Sequence, residues 1–287
     1  MITNHIKTVL LLGGLTGLLL FIGAAIGGQQ GLLIGLILAG AMNFFSYWFS
    51  DKIVLFIYRA KEADKKLYAS LYALIKDITK NAELPMPRVF IVTTPQANAF
   101  ATGRNPKHAA VAVTTGILQL LNEKELRGVL AHEVGHIKNR DILISSVAAM
   151  IAGVISYIAM MARWGAIFGG LGGRDEQGRG VNILELLVLS IIAPLMAMII
   201  QMAISRSREY LADETGARFC KDPESLAIAL EKIHANVAHH PFQAMGTTEA
   251  TAHLFIHNPF TAKGLVSLFS THPPVEERVK RLRALRL

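Results

Sequence analysis

The residues best suited to chemistry in this 287-residue chain are Ala131-His132-Glu133-Val134-Gly135-His136. Two histidines four apart fall on one face of a helix, one turn apart, within reach of a single metal ion. Neutral imidazole suits zinc, and a catalytic zinc needs three protein ligands and an open position for water. Glu133, beside the first histidine, can reach that water without binding the metal and take the proton that zinc makes easier to lose. The competing interpretation is a helix with two satisfied surface histidines. A helical context and a third ligand decide between them.

The context is helical. Asn122 with Glu125 three residues later makes a capping box. Leu126, Leu130, Val134 and Ile137 form one apolar stripe, with His132 and His136 on its flank. Gly135 lowers helix propensity, so it marks a close approach of another backbone or of substrate. The third ligand is sought in Ser205–Glu214, where Glu209 and Asp213 share a helix face. Glu209 is the candidate zinc ligand. Asp213 would hold a ligand histidine through its other ring N–H. The alternative is a solvated charged helix in which Arg206 or Arg208 pairs locally.

Composition sets these residues beside a bilayer. The chain is 52% hydrophobic and 17% charged, with mean hydropathy +0.40, whereas a soluble domain carries nearer 25% charged residues. Net charge +8 suggests positive-inside loops and contact with anionic lipid. No basic stripe with interleaved aromatics points to nucleic acid. Cys220 is the one cysteine, which excludes an intramolecular disulfide and a cysteine-based cluster. Residues 8–50 carry no charge, about 64 Å as helix, enough for two passes at 8–27 and 32–50 around Gly27-Gly28-Gln29-Gln30-Gly31. A cleaved signal peptide is the rival, with Lys7 before the run and Gly23-Ala24-Ala25 after it. The second apolar run follows almost at once, which favours a hairpin. Lys52, Arg59, Lys61, Lys65 and Lys66 then place the polar part, and the N-terminus, on the cytoplasmic side. Residues 142–162 and 186–205 are uncharged again, as a third and fourth span or as a buried core hairpin or partial membrane dip. Two crossings between His132 and Glu209 would return the chain to the same side, as a shared metal requires.

The remaining elements follow from periodicity. Leu67, Leu71, Leu74, Ile75 and Ile78 predict an amphipathic helix stopped by Pro85-Met86-Pro87. Residues 88–92 read as a short buried strand. Residues 98–102 and 109–114 read as an antiparallel pair joined by Gly103–Lys107, with 98–102 at an edge where an extended peptide can add. Leu226, Ala229, Leu230 and Ile233 predict another helix, and Val275–Leu287 a last one. Its Arg278, Lys280, Arg281, Arg283 and Arg286 are expected against the anionic membrane face. His239-His240 and the pair His253 and His257 read as loop or surface histidines, since Leu254 stands where a base would be needed. In Thr271-His272-Pro273-Pro274 the prolines restrict the backbone. His272 either hydrogen-bonds an oxyanion or belongs to a helix-initiating turn.

These residues together resemble the HtpX family of membrane zinc metalloproteases, related to the eukaryotic prenyl-protein endopeptidase. The resemblance rests on the N-terminal hairpin, Asn98-Ala99-Phe100, His132-Glu133-x-x-His136, the second hydrophobic pair, Glu209-x-x-x-Asp213 and Thr271-His272-Pro273-Pro274. The fold expected is a mainly α membrane protein. It has helical transmembrane segments and a cytosolic α+β zincin-like domain with a small antiparallel sheet. Its parts are a transmembrane hairpin (1–50), a first catalytic part (51–141), a second hydrophobic pair (142–205) and a second catalytic part (206–287). The resemblance implies one zinc per chain held by His132, His136 and Glu209, with Glu133 as base and His272 stabilising the transition state. It implies that Asn98, Ala99 and Phe100 bind substrate. It further implies a multi-pass protein of a bacterial cytoplasmic membrane that degrades unfolded or damaged membrane proteins under stress. Two other classes compete: a non-catalytic zinc-containing membrane module that binds unfolded segments, which would favour four ligands, and a transporter, which would need intramembrane charges that the four runs almost lack.

Overall fold

The computed structural model describes residues 2–145, 206–239 and 273–287. The helix pair expected within 142–205 lies almost wholly outside them, and His240, His253, His257 and His272 lie outside them too.

Helix α1 (Ile2–Ile57) folds back on itself at Gly28, whose φ of 56° and ψ of −134° lie outside the helical region. Glycine takes that conformation without the Cβ penalty other residues would meet. The two arms run side by side, and Asn43 Nδ2 donates to Thr16 Oγ1 at 2.9 Å across them. The turn is thus tighter than the five-residue connector expected, and the second arm runs on through Asp51 and Lys52 to Ile57. Among the described residues, Gly27–Phe45 is long and apolar enough to cross a membrane, and Leu12–Phe21 is a shorter apolar stretch. Leu33, Ile37 and Phe45 point outward and are exposed.

The sheet consists of β1 (Lys61–Glu62), β2 (Arg88–Val92), β3 (Ala99–Gly103) and β4 (Ala109–Thr114), in the order β1-β2-β4-β3. The expected antiparallel pair is β3 with β4. The sheet as a whole is mixed rather than antiparallel, because β4 inserts between β2 and β3 and runs parallel to β2. Thr114 fixes that junction. Its hydroxyl accepts from the Asn98 and Ile117 amides, at 2.9 and 3.2 Å, and donates to the Asn98 carbonyl. It therefore closes β4, locks the start of β3 and caps α3 (Thr115–Leu120) at once.

Each face of the sheet has its own partner. Phe100, Val92, Ala110 and Ala112 meet Val54, Leu55 and Tyr58 at the end of α1, with the Tyr58 and Phe100 rings 5.1 Å apart. Val89, Val111 and Val113 on the other face join the main core. That core also holds Leu71, Ile75 and Ile78 of α2 (Ala69–Asn81), and Val129 and Leu130 of α4 (Glu123–Lys138). Leu226 and Leu230 of α6 (Pro223–His239) and Leu282 of α7 (Val275–Ala284) complete it. Leu67 precedes α2 and is 75% exposed, so it is not part of the stripe. The capping box is formed: Asn122 Oδ1 accepts from the Glu125 amide at 3.0 Å and Glu125 Oε2 from the Asn122 amide at 3.1 Å.

Candidate metal centre

The centre forms where α4 crosses α5 (Arg206–Cys220), and the crossing is close because of two glycines. A Cβ at Gly135 would meet the Ala212 carbonyl oxygen at 3.0 Å, so the glycine anticipated as a close approach is one, and the neighbour is backbone. A Cβ at Gly216 would lie 2.7 Å from the His132 amide nitrogen. Gly216→Ala is therefore expected to push α5 off α4, at a cost of about 1–3 kcal/mol. Denaturation of the metal-free protein and metal titration should both report it.

At the crossing, His132, His136 and Glu209 each offer a ligand atom within 4.8 Å of the others. The two Nε2 atoms are 3.1 Å apart. Glu209 Oε2 lies 3.6 Å from His132 Nε2, and Oε1 lies 3.5 Å from His136 Nε2. The other ring nitrogens face carboxylates, His132 Nδ1 with Asp213 Oδ1 at 2.9 Å and His136 Nδ1 with Asp141 Oδ2 at 3.2 Å. A carboxylate on Nδ1 favours the tautomer with its proton there, which turns both Nε2 lone pairs toward each other and toward Glu209. Three donors converging in this way suit a cation, and a four-coordinate metal held by them would keep one position for water.

Asp141 is a partner the spacing did not disclose. It reaches His136 because α4 ends in a Schellman turn. The Asp141 amide donates to the His136 carbonyl at 3.0 Å and the Arg140 amide to that of Ile137 at 3.2 Å, with Arg140 at φ 59°. Burial alone would lower the His136 pKa, but the Asp141 hydrogen bond and the charges of Glu209, Glu133 and Asp141 raise it to about 9. A metal must displace that proton. Metal affinity is therefore expected to fall about tenfold for each pH unit below about 9, measurable by titrating metal-free protein across that range. The metal-free fold gains stability from the same proton at acid pH and loses it as pH rises from 6.5 through about 9.

Arg278 is the second missed residue. It was expected on the membrane face, yet its side chain is fully buried. It grips Asp213 with two nitrogens at 2.7 and 2.8 Å, approaches Glu209 Oε2 at 3.7 Å and lies 3.5 Å from the His132 ring. Burial would raise the Asp213 pKa, but the Arg278 charge, with the hydrogen bonds from Arg278 and His132, holds it at about 2. The signal was present: Arg278 sits inside the stripe Val275, Val279 and Leu282. Its neighbours are also engaged by protein, Arg283 with Glu224 and Glu231 and Arg281 with Glu277 and the Tyr210 ring.

Glu133 is buried beside the histidines, and its Oε2 accepts from the Ala101 amide of β3 at 2.8 Å. Burial raises its pKa, against the opposing charges of His132 and His136. The Thr114 amide donates to the Asn98 carbonyl at 3.0 Å, so even-numbered residues of β3 turn their backbone toward β4 and odd-numbered ones turn outward. Of the three expected substrate contacts, Ala99 presents its backbone outward. The backbones of Asn98 and Phe100 are committed to β4, and the Phe100 ring lies on the far face of the sheet.

The comparisons with known proteins place the chain in a family. The model of peptidase family M48 matches residues 65–286. A protease HtpX homolog of Desulforapulum autotrophicum is 54% identical, over 98% of this chain and 89% of that protein. One of Persephonella marina is 56% identical, over 97% and 96%. The crystal structure of S. mikatae Ste24p, 16% identical, shares the fold with a TM-score of 0.52 over 98% of this chain and 66% of that longer one. The chain belongs to peptidase family M48, as a membrane-bound metalloprotease of the HtpX group.

Proposed function

We propose that the metal is zinc, one per chain, held by His132, His136 and Glu209, and that the reaction is endoproteolysis of unfolded or damaged membrane proteins. The observation that carries this reading is the position of Glu133, between the converging Nε2 atoms and the outward edge of β3. Zinc bound there would supply a Lewis acid that acidifies water and polarises the scissile carbonyl. Glu133 takes the proton of the attacking water and delivers it to the leaving amine, work for which a carboxyl raised by burial is suited. Asp213 and Asp141 keep the imidazoles turned, and Arg278 keeps Asp213 charged. An extended peptide lies along β3 and uses the outward backbone of Ala99 and the carbonyl of Ala101, which selects unfolded segments over folded domains. His272, three residues before α7, donates a hydrogen bond to the oxyanion in this scheme.

Residues 51–141 and 206–287 make one catalytic unit in this reading, and 142–205 is a second helical pair between them. The basic residues after α1 favour placement in a bacterial cytoplasmic membrane, crossed several times, with the catalytic unit in the cytoplasm. The test is metal analysis beside casein hydrolysis on the purified full chain. One zinc per chain is expected, with cleavage abolished by a chelator and restored by zinc. A zinc-replete protein that binds casein without cutting it would sink the reading in favour of a binding module.

A further inference from the structure

Arg278, Arg281 and Arg283 of α7 are paired with carboxylates of the protein, but a second basic cluster is not. Where α1 leaves its apolar stretch, a groove of about 480 Å³ opens between the helix and the β3–β4 turn. The helix wall carries the aromatic rings of Phe44, Trp48 and Phe49 together with Lys52; the turn opposite carries Arg104 and Lys107. The Asp51 carboxylate in the groove is taken by Arg88 at 2.5 Å. Among the described residues none of Lys52, Arg104 and Lys107 is in an ion pair. Arg104 instead lies over the Trp48 ring at 4.4 Å and Lys52 over the Phe49 ring at 5.2 Å. Cation–π contacts hold both charges at the level of the rings.

That level is defined by the helix. α1 continues without interruption beyond Phe45, the end of the stretch able to cross a membrane. Lys52 is seven residues further on, about 10 Å along the axis, at the depth of lipid headgroups. Aromatic rings concentrate at that interface. We propose that this groove binds the headgroup of an anionic phospholipid, with the phosphate between Lys52, Arg104 and Lys107 and the acyl chains along Phe44 and Phe49. The site would fix the catalytic unit at a set height and rotation against the bilayer, because Arg104 belongs to the β3–β4 turn and Lys52 to the membrane helix. The inference needs membrane insertion and does not depend on the identity of the metal.

Trp48 provides the readout, since Trp164 is the only other tryptophan. The full-length Trp164→Phe protein is placed in neutral detergent micelles doped with brominated phosphatidylglycerol or brominated phosphatidylcholine, and Trp48 fluorescence is followed. Quenching should need far less phosphatidylglycerol than phosphatidylcholine. Combining Arg104→Gln and Lys107→Gln should reduce that preference about 25-fold, at about fivefold for each cation near an anionic headgroup. Casein hydrolysis by this variant should stay within about twofold of the parent, which separates loss of lipid selectivity from loss of fold. Equal quenching by the two lipids would overturn the proposal in favour of an unselective lipid annulus. Relief of quenching by millimolar inorganic phosphate would overturn it in favour of a free-anion site.

Discussion

Glu133→Gln is expected to keep its metal and lose peptide hydrolysis by about 10²–10⁴-fold, the range for removal of a positioned proton-transfer group. The amide is nearly isosteric with the carboxylate. Its oxygen can still accept from the Ala101 amide, the 2.8 Å contact that holds the side chain in place. Glu133 is not among the three converging donors, so metal stoichiometry should not change. The substitution thus removes the proton acceptor and leaves the rest of the site standing. The measurement is zinc per chain and casein cleavage on the same preparation. A variant with one zinc and wild-type cleavage would remove Glu133 from the mechanism. A variant that also lost zinc would place it in the coordination instead.

The second large effect belongs to Arg278, a residue outside the metal-ligand motifs themselves. Arg278→Met should destabilise the metal-free protein by about 3–5 kcal/mol, because it strands a buried carboxylate rather than deleting a pair. Arg278 is fully buried and provides the charge that keeps Asp213 ionised. Without it Asp213 gains a proton and loses its grip on His132, so metal affinity should fall as well. Lysine restores the charge but not the two-nitrogen fork, so Arg278→Lys should fall between the two. Pairing Arg278→Met with Asp213→Asn removes the stranded charge. The double variant should recover much of the stability and little of the metal affinity, and denaturant titration with metal titration separates the two. Additive losses in the double variant would mean that Arg278 acts on the fold through contacts other than Asp213.

The parts of this site that were legible in the sequence are those set by short-range periodicity. The His132–His136 spacing, the Asn122–Glu125 cap and the shared face of Glu209 and Asp213 each follow from helix geometry over one turn. The β3–β4 pairing was legible too, because a turn-rich connector separates two runs that must meet. What was hidden depends on where chains return. Asp141 meets His136 only through a Schellman turn whose left-handed position is an arginine, not the customary glycine. The parallel pairing of β2 with β4 depends on β3 passing to the far edge, which no local pattern records. The charge of Arg278 points to a membrane face, but its position in the stripe of Val275, Val279 and Leu282 buries it. The Leu67 assignment shows the opposite error, an apolar residue in register that precedes the helix it was assigned to.

The dispersal of the site along the chain also has a consequence in time. His132 and His136 leave the ribosome early, Glu209 later, and Arg278 another 142 residues after His136. At translation rates of about 5–20 residues per second, roughly 7–28 s separate the first pair from the arginine that steadies it. Throughout that interval the nascent chain carries a metal-binding pair without Arg278, the charge that keeps Asp213 ionised. A membrane-bound protease built in this order completes its metal site only when nearly all of its chain has been made.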